Sequence, residues 1–249
     1  MFQLGDNEFF LFSGPCSLES KEQLESQLSE LKTGLVRAGV YKLRTNSQSF
    51  QGIREDGVKI IKSLKEKYDF SFATEVVSEE SAEILSPIAD YFQVGTRNMY
   101  NYELLKYLNK FDKPIILKRG FSATLDEWIQ AAKYIENSEQ RVILCERGVR
   151  SFEKSYRNML DLNAVAYLKS HTNYKVIVDP SHGTGRKELI LPMAKAALAC
   201  GADGIIVESH VNPEVALSDK EQALNHKELR FLISEIESLA SFFDKKVVF

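Results

Sequence analysis

Residues 174–210 read YKVIVDPSHGTGRKELILPMAKAALACGADGIIVESH. An apolar run ends in Asp179 and His182, apolar residues then recur at helical spacing up to Gly201, and a second apolar run ends in Glu208 and His210. Strand, helix and strand in that order form a unit whose strands run parallel, with Gly201 as the helix C-cap. The same order repeats along the chain. The runs EFFLFSGPC, GVYKLR, FSFATEV, YFQVG, PIILKRG and RVILCERG precede YKVIVDPSH and GIIVESH, and helical patterns such as IREDGVKIIKSLKEKY and ATLDEWIQAAKYIEN lie between them. Eight alternations predict a parallel sheet closed into a (β/α)8 TIM barrel, with an open doubly wound sheet as the second reading.

The polar residues reinforce the barrel reading. Nearly every apolar run carries its reactive side chains at its C-terminal end: Cys16, Lys42 and Arg44, Glu75, Arg97, Lys118 and Arg119, Glu146 and Arg147, Asp179 and His182, Glu208 and His210. In a barrel these ends form one mouth, the face on which barrel enzymes build active sites. No linker, low-complexity tract or repeat divides the 249 residues, so residues 1–249 are expected to form one domain. Residues 1–12, with Gly5-Asp6-Asn7, are expected to add a short N-terminal β-hairpin at the lower end.

Composition narrows the partners. The chain is 44% hydrophobic and 27% charged with net charge -3, which gives no global reason for nucleic-acid binding. No apolar run approaches the roughly 20 residues of a membrane span and the start lacks a signal pattern, so a cytoplasmic location is expected. Three widely spaced cysteines in apolar stretches argue against a disulfide framework.

Two chemical groups converge on the predicted mouth. Cys16, His182, Glu208 and Asp219 offer a thiolate, an imidazole and two carboxylates, a set suited to a divalent transition metal such as Mn, Fe, Co or Zn. Each has a plainer reading: Cys16 as a small core residue, His182 as a bonded loop residue, and Asp219 as a first-turn charge in a capping box from Ser218 to Glu221. Arg37, Lys42, Arg44, Arg97, Lys118, Arg119, Arg147 and Arg186 form a basic group in a slightly acidic chain, which implies more than one small anionic ligand. The loop SHGTGRKE adds N–H groups at a helix start, or is a turn of small residues.

The segments SGPCSLES, KLRTNSQSFQG, QVGTRN, PIILKRG, ILCERG, VDPSHGTGR and IIVESHVNPEVALSD resemble, in order and spacing, the type I-beta 3-deoxy-7-phosphoheptulonate (DAHP) synthases, from about Phe12 to Leu224. The wider superfamily includes 3-deoxy-octulosonate 8-phosphate synthase. The resemblance implies a metal-dependent transferase that condenses phosphoenolpyruvate with erythrose 4-phosphate in the shikimate pathway of aromatic amino acid biosynthesis, assembled as a homo-oligomer, a tetramer or a dimer. It makes Cys16, His182, Glu208 and Asp219 the metal ligands, with Lys42, Cys16 and His182 catalytic. Arg37 and Lys42 would face the phosphoenolpyruvate carboxylate, and Arg97, Lys118 and Arg147 its phosphate. Arg44 and Thr45 would receive the aldose phosphate, with Arg119 and Arg186 in support.

The chain departs from that family pattern in three places. Leu43 stands where Pro is usual, Asn46-Ser47 where Ser-Pro is usual, and Lys220 follows Asp219 where Gly is usual. Proline would stiffen the backbone carrying Lys42 and Arg44, so these changes bear on the aldose site. No stretch is left over for an appended regulatory domain, so a core-only enzyme is expected. The alternatives are an octulosonate synthase using arabinose 5-phosphate and a silent barrel that binds anions or a partner. The first usually shows a Lys-Ala-Asn-Arg-type stretch where this chain has LRTNSQS, and the second would have lost ligands that are present here.

Overall fold

The computed structural model describes residues 5, 7–44, 46 and 48–249. Apolar runs flanked by turn residues become the strands β1 (Glu8–Gly14), β2 (Leu35–Arg37), β3 (Ser71–Val76), β4 (Tyr91–Val94), β5 (Ile115–Lys118), β6 (Val142–Glu146), β7 (Lys175–Val178), β8 (Gly204–Glu208) and β9 (Lys246–Val248). From β1 to β8 each strand lies parallel to its neighbour in sequence, and β8 returns to pair with β1, which closes the barrel. Helices such as Lys21–Leu31, Glu55–Lys65, Leu125–Ala132 and Lys187–Ala199 make the crossovers. The expected (β/α)8 architecture is the one observed.

The strands read as continuous apolar runs because both of their faces are buried. Phe10, Phe12, Leu35, Ala73, Tyr91, Ile116, Ile143, Cys145, Ile177 and Ile206 fill the barrel interior. Alternate residues such as Phe9, Leu11, Val36, Phe72, Leu117 and Val178 pack outward against the helices. Each fully buried Phe, Leu, Ile or Val side chain contributes roughly 1.5–3 kcal/mol. Capping boxes start the helices Glu79–Leu85 and Leu125–Ala132, at Ser78 with Ser81 and at Thr124 with Glu127. Gly201, at φ +88°, follows the helix Lys187–Ala199 as expected.

Seven of the eight expected runs contain the observed strands, and the second does not. β2 is Leu35–Arg37, and GVYKLR leaves the sheet after one bridge between Gly39 and Ser17. The N–H of Val40 donates to the Thr74 side chain and that of Lys42 to the Gln51 carbonyl, so a loop folds back on itself where a strand was expected. Gly14 sets the approach of β1 to β2: at φ +148°, a Cβ there would lie 2.0 Å from the Arg37 carbonyl oxygen. That contact brings Cys16 and Arg37 together.

The first arm of the expected hairpin, at residues 1–4 and 6, lies outside the described residues. Glu8–Phe10, in its second arm, pair in parallel with Lys246–Val248 and belong to the barrel strand β1. Val248 packs against the interior cluster. Among the described residues no helix is long and apolar enough to cross a membrane.

Candidate active site

The C-terminal strand ends gather the predicted metal set. Cys16 follows β1, Glu208 ends β8, His182 lies in the short helix Pro180–Thr184 after β7, and Asp219 sits in the loop after β8 at φ +52°. One ligand atom from each lies within 4.8 Å of all the others. Cys16 Sγ is 3.0 Å from Asp219 Oδ2, and His182 Nε2 is 3.1 Å from Glu208 Oε1. The capping-box alternative for Asp219 does not hold. No helix starts there, Ser218 bonds the Ser17 hydroxyl at 3.0 Å, and the next α-helix begins at His226.

Neighbouring side chains orient these ligands. Asp179, fully buried, accepts from the His182 backbone N–H at 2.9 Å and takes His182 Nδ1 at 2.7 Å and Lys118 Nζ at 2.6 Å. Burial holds the His182 pKa below its ordinary value, so the imidazole is neutral. With its proton on Nδ1 toward Asp179, Nε2 presents a lone pair to the Glu208 carboxylate. Two electron-pair donors facing each other at 3.1 Å call for a cation between them. Burial pushes the Cys16 thiol up to about 12, with the Glu208 charge adding to the shift, so without a cation it stays protonated and donates to Asp219. Burial also pushes the Asp219 carboxyl up, but the Cys16 S–H and the Arg157 and Lys42 cations outweigh it and hold it well below the usual range. The donor set and its orientation therefore fit a divalent metal ion.

Part of the basic set surrounds a cavity of about 240 Å³ beside this cluster. Lys42, Arg44, Arg97, Lys118, Arg147 and Arg157 line it, with Glu75 and Asp219 as the only carboxylates among the lining residues. Lys42 Nζ lies 3.2 Å from Cys16 Sγ and 3.6 Å from Glu75 Oε2, bridging cluster and cavity. Arg44 Nη1 is 3.4 Å from Asp219 Oδ2. Lys118 and Asp179 form a buried pair, and removing either partner alone costs roughly 3–5 kcal/mol. Arg147 is 3% exposed, donates only to the Gly148 carbonyl at 3.3 Å, and has no carboxylate partner among the described residues. Burial lowers its pKa, with the Arg157 charge adding to the shift, even though the Asp179 and Glu146 charges nearby oppose it. An anion in the cavity would give it a direct partner.

Three predicted residues lie outside the cavity lining. Arg119 does not face the cavity: its guanidinium bonds Glu146 Oε2 at 2.9 Å, Asp161 Oδ2 at 3.0 Å and the Ala123 carbonyl at 3.0 Å, tying two strand-end loops together. Arg186 donates to the Ser155 carbonyl at 2.9 Å and lines an adjoining groove. Arg37 is buried against Glu208 Oε1 at 2.9 Å, below the cavity lining. Thr45 lies outside the described residues.

Two residues enter that the sequence did not signal. Arg157 Nη1 bonds Asp219 Oδ1 at 3.1 Å and Gln222 Oε1 at 3.2 Å, while Gln222 Nε2 donates to Glu208 Oε2 at 2.6 Å. Together they chain two carboxylates of the predicted metal set to each other and to the cavity wall. Neither sits in a spaced motif, and only the folded loops bring them to the mouth.

A family model described as the DAHP synthetase I family matches residues 2–241. A phospho-2-dehydro-3-deoxyheptonate aldolase of Thermotoga maritima is 41% identical over 98% of this chain and 74% of its own length. A 2-dehydro-3-deoxyphosphooctonate aldolase of Francisella philomiragia is 29% identical over 96% of this chain and 95% of its own. The crystal structure of the Thermotoga maritima DAHP synthase superposes with a TM-score of 0.92 at 42% identity, covering 97% of this chain and 72% of that one. A truncated form of the synthase from the same organism gives 0.88 at 40% identity, covering 97% and 90%.

Proposed function

Since the chain belongs to the DAHP synthetase I family, we propose that it condenses phosphoenolpyruvate with erythrose 4-phosphate to give 3-deoxy-7-phosphoheptulonate and inorganic phosphate, the entry step of the shikimate pathway. The observation that carries this reading is one cavity in which the Cys16, His182, Glu208 and Asp219 cluster meets six cations opposed by two carboxylates. Two phosphorylated, mutually repelling substrates need such an excess of positive charge.

In the reaction carbon 3 of the enol attacks the aldehyde carbon, water adds at carbon 2, and the carbon 2–oxygen bond breaks to release phosphate. A divalent transition metal held by the four ligands supplies Lewis acidity toward the aldehyde or the water. Arg147, Arg97 and Lys118 hold the phosphoenolpyruvate phosphate, and Arg147 gains an anion in direct contact. Lys42, between Cys16 and Glu75, faces the enol carboxylate, with Arg37 behind it adding positive charge. Burial lowers the Lys42 pKa, but the Cys16 sulfur and the Glu75 carboxylate outweigh this and raise it, so it enters the reaction as an ammonium able to donate a proton to the forming alkoxide. Arg44 and Arg157 receive the aldose phosphate. Fixing both partners at reacting distance supplies about 7 kcal/mol or more of the barrier reduction.

The test measures phosphoenolpyruvate consumption with erythrose 4-phosphate and with arabinose 5-phosphate, before and after chelation. Preference for the four-carbon sugar, loss of turnover on chelation and recovery with a divalent ion are expected. Preference for the five-carbon sugar would reassign the chain to the octulosonate reaction, and a fully active metal-free preparation would remove the metal role.

A further inference from the structure

Phe121 stands in the loop after β5, and its ring meets three guanidinium groups at once. The Cζ of Arg150 lies 4.7 Å from the ring centroid, that of Arg147 5.0 Å and that of Arg97 5.5 Å. All three distances fall within the range of cation–π attraction, about 6 Å. These arginines come from two different loops, after β4 and after β6, and Phe121 from a third between them. The backbone reinforces the junction. Arg150 N–H donates to the Phe121 carbonyl at 2.7 Å, and Gly120 N–H points at the Met99 sulfur at 3.0 Å, fixing the turn that presents the ring. Phe121 and two of the three arginines, Arg97 and Arg147, line the cavity.

Three like charges gathered around one ring repel one another, and the carboxylates nearest Arg147 are hydrogen-bonded to other side chains: Asp179 to Lys118 and His182, Glu146 to Arg119. An aromatic face offers partial negative charge without adding an acceptor that would compete with a phosphate. We propose that Phe121 is a positioning residue whose ring holds the Arg97, Arg147 and Arg150 guanidinium groups in register before the phosphoenolpyruvate phosphate arrives. This rests on the phosphoenolpyruvate reading above and extends it to a group that never meets the reacting atoms. Arg150, exposed as Arg97 is and outside the cavity lining, becomes the third cation on the ring.

The experiment replaces Phe121 with phenylalanines carrying one, two and three ring fluorines, which drain the negative face while nearly preserving shape, and adds Phe121→Leu. The full metal-loaded chain is assayed with phosphoenolpyruvate and erythrose 4-phosphate, and inorganic phosphate serves as a competing probe. The KM for phosphoenolpyruvate is expected to climb stepwise with fluorination, by about 5- to 20-fold at the extreme, with Phe121→Leu at least as high. Inhibition by inorganic phosphate should weaken in parallel, while the KM for erythrose 4-phosphate, kcat and Tm stay within twofold or a few degrees of the parent. A flat response to fluorination would overturn the proposal and leave Phe121 as filler, even if Phe121→Leu is impaired through lost volume. Absence of phosphoenolpyruvate turnover in the parent would instead overturn the reading on which it rests.

Discussion

The Gln222 amide spans two charged networks, donating through Nε2 to Glu208 and accepting through Oε1 from Arg157. Groups that orient a ligand carboxylate commonly change metal affinity by about 10- to 100-fold when lost. Gln222→Ala is therefore expected to weaken divalent-metal affinity by that factor with the fold intact, as read by competition with a chromophoric chelator. Unchanged affinity would make Gln222 a packing residue. Lys42 and Arg44, two residues apart, should separate in kinetics. Arg44→Ala is expected to raise chiefly the KM for erythrose 4-phosphate, by about tenfold or more, because it removes the charge-assisted contact proposed for that phosphate. Lys42→Ala should lower kcat by about 100-fold or more, because the proposed reaction puts its ammonium beside the reacting atoms. A common loss of affinity for both substrates would refute this division of labour.

At the scale of elements, the runs that end in functional side chains were legible because burial on both faces leaves an unbroken apolar signature. β2 was misplaced because GLVRAGVYKLR contains two overlapping strand-like patterns, and only the Gly14 contact selects the first. The clustering of Cys16, His182, Glu208 and Asp219 was legible through joined motifs, whereas Arg157 and Gln222 were not, since a lone Arg and a lone Gln in loops have no periodicity to mark them. Arg119 and Arg186 looked equivalent to the other cations in sequence, and only their carboxylate and carbonyl partners distinguish them. The loop that replaces the expected strand also explains how the chain does without proline at Leu43. The Lys42 N–H bonds Gln51, the Arg54 N–H bonds Val40, and a Gly52 Cβ would lie 2.1 Å from the Val40 carbonyl oxygen, so backbone contacts brace the segment. No backbone bond from the Leu43 N–H is present among the described residues, so Leu43→Pro removes none. It is expected to be neutral or to stabilise by about 0.4–1 kcal/mol, read as a small rise in Tm, without raising the KM for erythrose 4-phosphate. A fall in Tm of several degrees would show that the φ or the preceding residue cannot accept the ring.

Across the whole molecule the two ends of the barrel are built for different tasks. The mouth concentrates buried charge, which is costly and kept in place by partner side chains, and the opposite end is closed by apolar packing to which β9 contributes Val248. β9 joins only the first half of β1, Glu8–Phe10, whereas Cys16 lies beyond the other half. Truncation after Lys245 removes three strand pairings and uncovers part of the interior cluster, a loss of about 1–3 kcal/mol given that the strand is itself only half-buried. For a chain of this length each kcal/mol shifts Tm by about 2–4 °C, so a fall of roughly 2–12 °C is expected by calorimetry. The KM for both substrates and the metal affinity should stay within twofold, because no residue of β9 reaches the cavity or its cluster. A truncated chain that melts like the parent would show that β9 adds nothing to the core. One whose KM rises severalfold would show that packing at the closed end sets the geometry of the mouth, through the β1 strand that runs from Phe10 in the interior toward Cys16 at the metal cluster.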